Sequence, residues 1–525
     1  MKRCPRCDRT YVDETLNFCL EDGTPLTVAI SEYPTEVMPR PVSGESGTRL
    51  FDSYGAGVSR STVPSANSIA VLPFAHLSSD PDDEYFCDGL AEELLNALAR
   101  VDGLKVAART SAFYFKGRNA TIGEIGHVLG VETVLEGSVR KSGDRLRITA
   151  QLINAADGYH IWTERYDREM RDVFELQDEI TAAVVNALKL KLLGTTEESS
   201  DKMTALIEEL KHHARDVQAY QLYLQGQFFL NKFTAADAVR AIKLFEEAVE
   251  RDPGLALAHA GLADAYIMLT EMGPMPPHDA MPKAKEFALR AIALDDTVAE
   301  AHSSLGMVLQ VYEYDFAAAE IEFRRAIELS PNNPVPRQSY GILLTELERH
   351  EEAALHFQKM LEVDPLSVVG NWIYSFCLFL ARRYDESLEA AQYALDLDPT
   401  FGVAYLSVAF AYQMKGEFEK SVEAYARCNE VMGSPENAAF VRSNFAKGWE
   451  SFLSGMASDD RPVTFSFYIV SVFKAALGDV DGAFAELERS FEKRESHIVM
   501  VKSDPRFDVL RDDPRYRALL DRIGF

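Results

Sequence analysis

Four side chains near the start of the chain have the types and spacing of a zinc site. Cys4 and Cys7 form a CxxC knuckle, and Cys19 and Asp22 repeat that spacing with a carboxylate in the last position. Two such turns can place three thiolates and one carboxylate oxygen around a tetrahedral Zn²⁺ ion. Gly23 follows at the point where a knuckle often needs a positive φ. The set predicts one structural zinc ion.

The pattern CPxC…FCxxDG resembles the short zinc ribbons that open many bacterial proteins, although those ribbons more often end in CxxC. A ribbon over residues 1–27 would need the metal, because so short a segment cannot be held together by apolar burial. The alternative is a degenerate ribbon that binds no metal, or one that completes its metal shell with water. A catalytic zinc is not expected, since the segment is too small to build a substrate cavity.

The remaining composition points away from catalysis, nucleic acid and membranes. We expect a non-enzymatic protein, because no pairing of a nucleophile with a base is legible. A formal net charge of -28 without a basic stripe would repel a phosphate backbone. The longest strongly apolar run, Trp372 to Ala381, is half of the roughly 20 residues that a membrane-spanning helix needs. The scattered cysteines and the absence of an apolar leader predict a cytoplasmic location.

Two segments flank a predicted α/β domain. Residues 28–66 are rich in Pro, Ser and Gly and carry no apolar period, which predicts a flexible linker. The α/β domain is expected over residues 67–195, and residues 196–213 would connect it to the next domain. Its first strand, Ile69 to Phe74, is continuously apolar, as in strands buried on both faces.

The rest of the domain follows from periodicity. Helical spacing runs from Tyr85 to Val101, and a short helix is expected around Ile122 to Leu129. Leu146, Ile148, Ala150 and Leu152 alternate with polar residues in the middle one of three strands, and an amphipathic helix from Val173 to Leu193 closes the domain.

This region resembles the TolB-like (FlgO-related) N-terminal domain. The matching stretches are SIAVLPFAHLSSDPDDEYFCDGLAEELLNAL, LKVAARTSAFYFKG, IGHVLGVETVLEGSVRKSGDRLRITAQLINAADGYHIWTERYDRE and VFELQDEIT. The resemblance implies a bacterial signalling context, in which such domains lie between an output or sensor module and a tetratricopeptide (TPR) array. The output module can be a kinase, a nucleotide cyclase or a winged-helix domain. Here the zinc ribbon and the linker occupy that place.

The C-terminal half repeats with a period of 34 residues. Pro331, Pro365 and Pro399 are spaced 34 apart and close similar (Leu/Val)-(Asp/Ser)-Pro patterns. A period of this length predicts stacked helix pairs, which usually bind other molecules rather than catalyse. The pattern resembles the TPR family over residues 214–432, where six repeats can be aligned. Residues 433–525 are expected to form a divergent seventh pair and a C-terminal cap.

Small and aromatic residues recur at fixed places in each repeat. The first helices carry Gly226, Gly306 and Gly341, and the second helices carry a Phe such as Phe323 or Phe357. We expect the small residues to allow close helix approach and the aromatic ring to fill the space between neighbours. One connecting loop, from Glu271 to Pro282, is expected to be expanded.

A TPR superhelix exposes its first helices on a concave inner face, where partners bind. In the fifth and sixth repeats the inward positions are apolar and lack the Lys and Asn that clamp a carboxylate tail. They predict a groove for an apolar or amphipathic segment of a protein partner. The alternative is that the chain's own tail or linker covers this surface. The predicted groove residues are Val369, Trp372, Phe376, Phe379, Val403, Leu406 and Phe410.

The sequence thus predicts a multidomain protein with a small zinc ribbon, a TolB-like α/β domain and an all-α TPR superhelical solenoid. We expect a non-enzymatic scaffold in which the α/β domain acts as a sensor or assembly module. The alternative is a regulatory subunit or degenerate relative of the bacterial kinase and adenylate cyclase signalling proteins that combine TolB-like and TPR domains.

Overall fold

The computed structural model describes the chain in two compact units, residues 1–55 and 56–525. Within the first unit it describes three two-residue strands, β1 Lys2–Arg3, β2 Thr10–Tyr11 and β3 Thr27–Val28, which pair antiparallel in the order β2-β1-β3. Within the second unit it describes residues 65–77, 84–101, 103–142, 145–169, 173–192, 216–272, 275–462 and 465–525. Cys4, Cys7, Cys19 and Asp22 lie outside the described residues, as does nearly all of the predicted linker.

The second unit opens with an α/β domain built on a mixed six-stranded sheet. The sheet has the order β6-β4-β7-β8-β9, with β5 also pairing β7. Strands β6, β4 and β7 run parallel, and β7, β8 and β9 form an antiparallel meander. The elements in chain order are β4 Ser65–Val71, β5 Ala75–His76, α1 Glu84–Ala99, β6 Lys105–Val106, α2 Arg109–Phe113, α3 Ile122–Leu129, β7 Val131–Ser142, β8 Arg145–Asn154, β9 His160–Glu169 and α4 Val173–Leu192.

Strand β4 is central and buried on both faces, as its continuous apolar run predicts. Ile69 and Val71 pack into one core with α1, and Ala70 packs into a second core with α3 on the opposite face. All three side chains are completely buried. In β8 the alternation is also confirmed, because Ile148 and its apolar companions are buried while the intervening arginines are exposed.

The described residues from 216 onward form eight consecutive helix pairs, numbered here pair 1 to pair 8. They are α5 Val217–Leu230 with α6 Ala235–Arg251, α7 Ala256–Glu271 with α8 Pro277–Leu294, α9 Ala299–Val308 with α10 Phe316–Leu329, α11 Pro334–Glu346 with α12 His350–Val363, α13 Val368–Leu380 with α14 Tyr384–Leu397, α15 Ala404–Met414 with α16 Phe418–Val431, α17 Pro435–Phe445 with α18 Trp449–Ala457, and α19 Phe467–Ala476 with α20 Val480–Glu492. Pairs 1 to 6 coincide with the six predicted repeats, which supports the TPR assignment.

Close packing of glycine against phenylalanine holds the pairs together. A Cβ atom added at Gly306 would lie 2.6 Å from Cε1 of Phe323, and one added at Gly341 would lie 2.8 Å from the ring of Phe357. Both rings are buried. The expected combination of a small residue on one helix and an aromatic ring on its partner is therefore present, and it sets how closely the two helices approach.

Two features of the solenoid differ from expectation. The expanded loop predicted up to Pro282 is wrong, because α8 already begins at Pro277 and contains Pro282. A proline at the first position of a helix costs no hydrogen bond, so Pro277 starts the helix early. In addition, pair 7 precedes the predicted divergent pair, which is pair 8.

The C-terminal cap, residues 496–525, folds back onto earlier pairs. It contains the 3₁₀ turns Ser496–Met500 and Pro505–Leu510 and the helix α21 Pro514–Ile523. The ring of Phe525 stacks on Phe316 of pair 3, with centroids 4.7 Å apart. Arg382, in the turn of pair 5, forms two 2.6 Å hydrogen bonds with Asp508. The cap therefore buries apolar surface in the middle of the solenoid as well as at its end.

Candidate functional site: an acidic and apolar cavity inside the solenoid

A cavity of about 2170 Å³ lies between the α/β domain, the first helices of the pairs and the C-terminal segment. Helix α1 and the start of α2 form one wall, and first helices from α5 to α15 form the floor. Residues of pair 8 and the cap, including Tyr468 and Met500, close another side. The concave face is thus a partly open cavity whose walls come from three parts of one compact unit.

Six of the seven predicted groove residues line this cavity. Trp372 and Phe376 of α13 and Leu406 of α15 are half-buried there, and the ring of Trp372 lies edge-on to Phe401 with centroids 5.8 Å apart. The remaining one, Phe379, is completely buried and does not line the cavity. The six that line it are Val369, Trp372, Phe376, Val403, Leu406 and Phe410.

The chain's own cap covers part of the predicted groove. The guanidinium of Arg506 lies 4.2 Å from the ring centroid of Phe410 and 5.4 Å from that of Phe379. Arg506 is paired with Asp504, and both side chains are almost fully buried. Asp504 also accepts a 2.9 Å hydrogen bond from the hydroxyl of Tyr468. The alternative that the tail covers this surface therefore holds at Phe379 and Phe410, whereas the surface around Trp372 faces the cavity.

A buried polar contact joins the α/β domain to pair 4. Asp364, just after α12, accepts hydrogen bonds from the amide (3.1 Å) and the hydroxyl (2.7 Å) of Ser111 in α2. The Ala108 amide donates to the carbonyl of Val363, and the Leu366 amide donates to the Ser111 hydroxyl. Burial raises the pKa of Asp364 to about 6 despite these donors. The domain and the solenoid are therefore joined by directional bonds as well as apolar packing.

A second contact joins helix α1 to pair 1. Glu92 pairs with Arg109 at 2.9 Å and accepts from the side-chain amide of Asn231 at 3.3 Å. The adjacent Glu93 accepts a 3.4 Å bond from the hydroxyl of Tyr223. Burial raises the pKa of Glu92. Helix α1 is thereby fixed across one end of the cavity with two carboxyl groups in its wall.

The cavity wall is strongly acidic. Ten Asp and Glu residues line it, against three arginines. Burial raises the pKa of Asp264 to about 7 and that of Glu346 to about 8. The Ser304 hydroxyl donates to Asp264, and the amide nitrogen of Gln310 donates to Glu346 at 2.7 Å. A space with both apolar and acidic walls suits a guest that is apolar and cationic.

Sequence reasoning named the apolar floor but missed these carboxyl groups. Asp264 and Glu346 lie on the first helices α7 and α11, in pairs 2 and 4. The inward-facing positions predicted from the sequence lie only in pairs 5 and 6. The available signal was an acidic residue within the inward-facing stretch of a helix that is otherwise apolar. The contribution of α1 carried no such signal, because its contacts span more than a hundred residues of sequence.

The predicted zinc ligands Cys4, Cys7, Cys19 and Asp22 are not among the described residues, so the zinc site stays a prediction. In the described part of the chain, no group of three or more His, Cys, Asp or Glu residues is arranged to hold a metal ion. Cys87, Cys377 and Cys428 are buried. None of the described helices is both long and apolar enough to cross a membrane.

The α/β domain matches a known family model. The model of the HilA/YgeH-like transcriptional regulator, second domain, matches residues 65–183, from the start of β4 into α4. Transcriptional regulator HilA of Salmonella paratyphi A (strain ATCC 9150 / SARB42) is 30% identical over 137 residues, which are 26% of this chain and 25% of HilA.

A longer similarity links the chain to a protein of Rhizobium meliloti (strain 1021) named putative adenylate cyclase 3. The two are 38% identical over 252 residues, which are 47% of this chain and 41% of that protein. The chain thus spans less than half the length of each of these relatives.

Solved structures of helical repeat proteins align with the chain at low sequence identity. YrrB, a TPR protein with an unusual peptide-binding site, aligns with a TM-score of 0.27 and 21% identity. The alignment covers 38% of this chain and 97% of the YrrB chain. PilW, a type IV pilus biogenesis factor, aligns with a TM-score of 0.34 and 17% identity. The alignment covers 41% of this chain and 94% of the PilW chain. Both align with less than half of this chain.

Proposed function

We propose that this protein is a non-enzymatic scaffold that binds a segment of a protein partner in the cavity of its TPR solenoid. The observation that carries the proposal is the half-buried apolar floor around Trp372, Phe376 and Leu406, which faces the cavity while the chain's own cap covers the neighbouring Phe379 and Phe410. Apolar surface that remains open beside covered surface is typical of a binding site. The proposed site comprises Val369, Trp372, Phe376, Val403 and Leu406, and Phe410, which the cap covers, borders it.

In this proposal the α/β domain is a TolB-like sensor or assembly module. Its resemblance to TolB-like domains and its match to the second-domain model of a transcriptional regulator both support a regulatory role. The buried bonds of Ser111 to Asp364 give this domain a direct contact with the array. A ligand or partner on the α/β domain would act on the cavity through helix α1, which forms one of its walls.

The scaffold function is tested by capture from cells that contain the native partners. A photo-crosslinking amino acid is placed at Leu406 in the cavity and, as a control, at the exposed Glu419 of α16. We expect partner adducts at position 406 and their loss when Trp372→Ala and Phe376→Ala are combined, with an unchanged helical circular dichroism signal. Equal adducts at both positions, or adducts that survive the double substitution, would contradict the proposal.

A second candidate function follows from the relative named putative adenylate cyclase 3. In this reading the chain is a regulatory subunit, or a relative that no longer catalyses, and the activity belongs to a partner. Cyclase and phosphotransfer assays on the purified chain distinguish a scaffold or regulatory subunit from an enzyme. The scaffold proposal predicts no turnover by the chain alone, and turnover would favour an enzyme.

For the N-terminal segment we propose that Cys4, Cys7, Cys19 and Asp22 hold one structural zinc ion. Three thiolates and a carboxylate suit tetrahedral zinc, and the ion would stabilise a mini-domain that is too short for an apolar core. Metal analysis of the purified chain is expected to give about one zinc per chain, and Cys7→Ser is expected to lose it. Retention of zinc in Cys7→Ser would exclude this ligand set.

A further inference from the structure

We propose that the partner segment is a cationic amphipathic helix. Its apolar face would pack on Trp372, Phe376 and Leu406, and one of its Lys or Arg side chains would bind at Glu346 and Gln310. This inference rests on the proposed scaffold function, because it names the chemistry of the segment that the same cavity would hold.

The cation seat consists of two hydrogen-bond acceptors in one buried place. Glu346 and Gln310 are each 1% exposed and both line the cavity. The amide nitrogen of Gln310 donates to Glu346, but its Oε1 atom has no hydrogen-bond partner among the described residues. Leaving such an oxygen buried and unpaired is unfavourable, and a guest with N–H donors would satisfy it. An ammonium or guanidinium group supplies several such donors, and its positive charge would favour the ionised form of Glu346, which burial otherwise keeps largely protonated near neutral pH.

The backbone around Gln310 is unusual in a way that places this side chain in the cavity. Helix α9 continues as a π turn, Leu309–Glu313, before Tyr314 adopts a left-handed conformation with φ of 63°. π turns inside helices occur frequently at functional sites. Gln310 lies in this turn and donates its hydrogen bond to Glu346 of α11 in the next pair.

The acceptor pair adjoins the apolar floor. Burial raises the pKa of the Cys377 thiol to about 12, and the nearby charge of Glu346 contributes in the same direction. Cys377 directly follows Phe376 and also lines the cavity. Ser407, next to Leu406, has a buried hydroxyl without a partner in the described part of the chain. Polar acceptors thus border the apolar surface, as an amphipathic guest requires.

The charge of the whole cavity selects a positive guest. Two of its three arginines are already neutralised, because Arg109 pairs with Glu92 and Arg506 pairs with Asp504. Other acidic residues of the wall, such as Asp295 and Glu300, add negative potential on the pair 2 and pair 3 side. An acidic peptide would meet like charges in a low-dielectric space, whereas a cationic one would be attracted.

The size of the cavity favours a helix over a small cation. Its volume of about 2170 Å³ exceeds the roughly 300–1,000 Å³ of ordinary small-molecule pockets. The lining also extends over the first helices of six consecutive pairs. An amphipathic helix in a groove can contact the apolar floor and the acceptor pair at the same time.

The test uses three fluorescent model helices of about 16 residues, or roughly four turns, with identical Leu faces and with Lys, Gln or Glu at the polar positions. Binding to the full chain is measured by fluorescence anisotropy. We expect the Lys helix to bind at least about tenfold more tightly than the Gln helix, and the Glu helix to bind most weakly. Glu346→Gln is expected to bring the affinity of the Lys helix close to that of the Gln helix, without lowering the affinity of the Gln helix. Gln310→Met tests the same seat, and Glu419→Gln on the outer surface is the control.

The outcomes separate this inference from the proposed function. The cation seat is wrong if the Lys and Gln helices bind with equal affinity and Glu346→Gln and Gln310→Met leave both affinities unchanged. The apolar groove is still supported in that case if Trp372→Ala weakens the binding of both helices. If no helix shows binding that depends on Trp372, the groove function itself fails. If spermidine displaces the Lys helix at comparable concentration, the guest is a small polycation rather than a helix.

Discussion

The Asp504–Arg506 pair shows how one buried ion pair organises the concave face. Both side chains are nearly inaccessible, and the guanidinium of Arg506 also lies against the rings of Phe379 and Phe410. Asp504 additionally accepts from the Tyr468 hydroxyl, so the pair links the cap to pair 8. This arrangement decides which predicted groove residues are covered and which face the cavity.

Removing the Arg506 charge should strongly destabilise the cap. Arg506→Leu leaves the Asp504 carboxylate buried without its partner, which typically costs about 3–5 kcal/mol. We expect a lower unfolding midpoint in urea and faster hydrogen exchange in residues 496–510. The control is Arg517→Leu, whose pair with Asp521 is exposed (side chains 73% and 56% accessible) and should contribute less than about 1 kcal/mol. Equal effects of the two substitutions would show that burial of the Asp504–Arg506 pair does not matter.

At the scale of elements, periodicity predicted most helices and strands but not all of them. The runs around Ile69 and Leu90 and the 34-residue period were legible because burial selects apolar residues at regular spacing. Pair 7, residues 435–457, lies beyond the region over which the 34-residue repeats could be aligned, which ends at residue 432, so the period did not predict it. The residues of the apolar floor could be predicted by counting inward-facing positions along the first helix of a repeat. The pairing of Gln310 with Glu346 could not be predicted, since Gln310 lies in a π turn at the end of α9 and its partner lies in the next pair.

The glycine positions in the first helices should be intolerant of even a methyl group. Gly306→Ala would put a Cβ atom 2.6 Å from the buried ring of Phe323, so the two helices of pair 3 must separate. We expect a loss of about 1–3 kcal/mol in the free energy of unfolding, as in other overpacked cores. Gly123→Ala in α3 is the matched control, because its Cβ would meet only a carbonyl at 3.4 Å and alanine favours helix. A neutral Gly306→Ala would mean that this contact is easily relaxed.

At the scale of the whole molecule, contacts between distant parts of the chain make one cavity. Ser111 and Asp364 are 253 residues apart in sequence, and no local pattern predicts their hydrogen bond. The cation seat, helix α1 and the cap likewise come from three regions. Their meeting is a consequence of superhelix geometry and domain docking, so a repeat-by-repeat interpretation of the sequence could identify the floor but not the walls.

The docking contact should depend on pH through Asp364, because burial raises the pKa of its carboxyl group well above its ordinary value, to about 6. Because the folded pKa is the higher one, the contribution of Asp364 is fully present below about pH 4 and is lost as the pH rises through about 6. Ser111, Thr110 and Ser367 face this carboxyl group and do not titrate in this range. Asp364→Asn keeps an acceptor oxygen for Ser111 and removes the titration. We expect its stability relative to the native chain to increase between pH 4.5 and 7.5.

The measurement is urea unfolding of both chains across that range. Asp398→Asn is the control, since Asp398 holds the same place in the next repeat and accepts hydrogen bonds from Thr400 in its own turn. A difference between Asp364→Asn and the native chain that is independent of pH would show that the docking carboxyl does not titrate between the folded and unfolded states.

The return of the cap to earlier pairs has a consequence for how this solenoid can evolve. Open repeat arrays gain and lose whole units easily, because each unit contacts only its neighbours. Here Phe525 meets Phe316 and Asp508 meets Arg382 across several intervening pairs. Duplication or deletion of one 34-residue unit between these partners would shift the cap by one step along the superhelix and break both contacts. The two contacts therefore specify the number of repeats between pair 3 and the cap as well as the residues that form them.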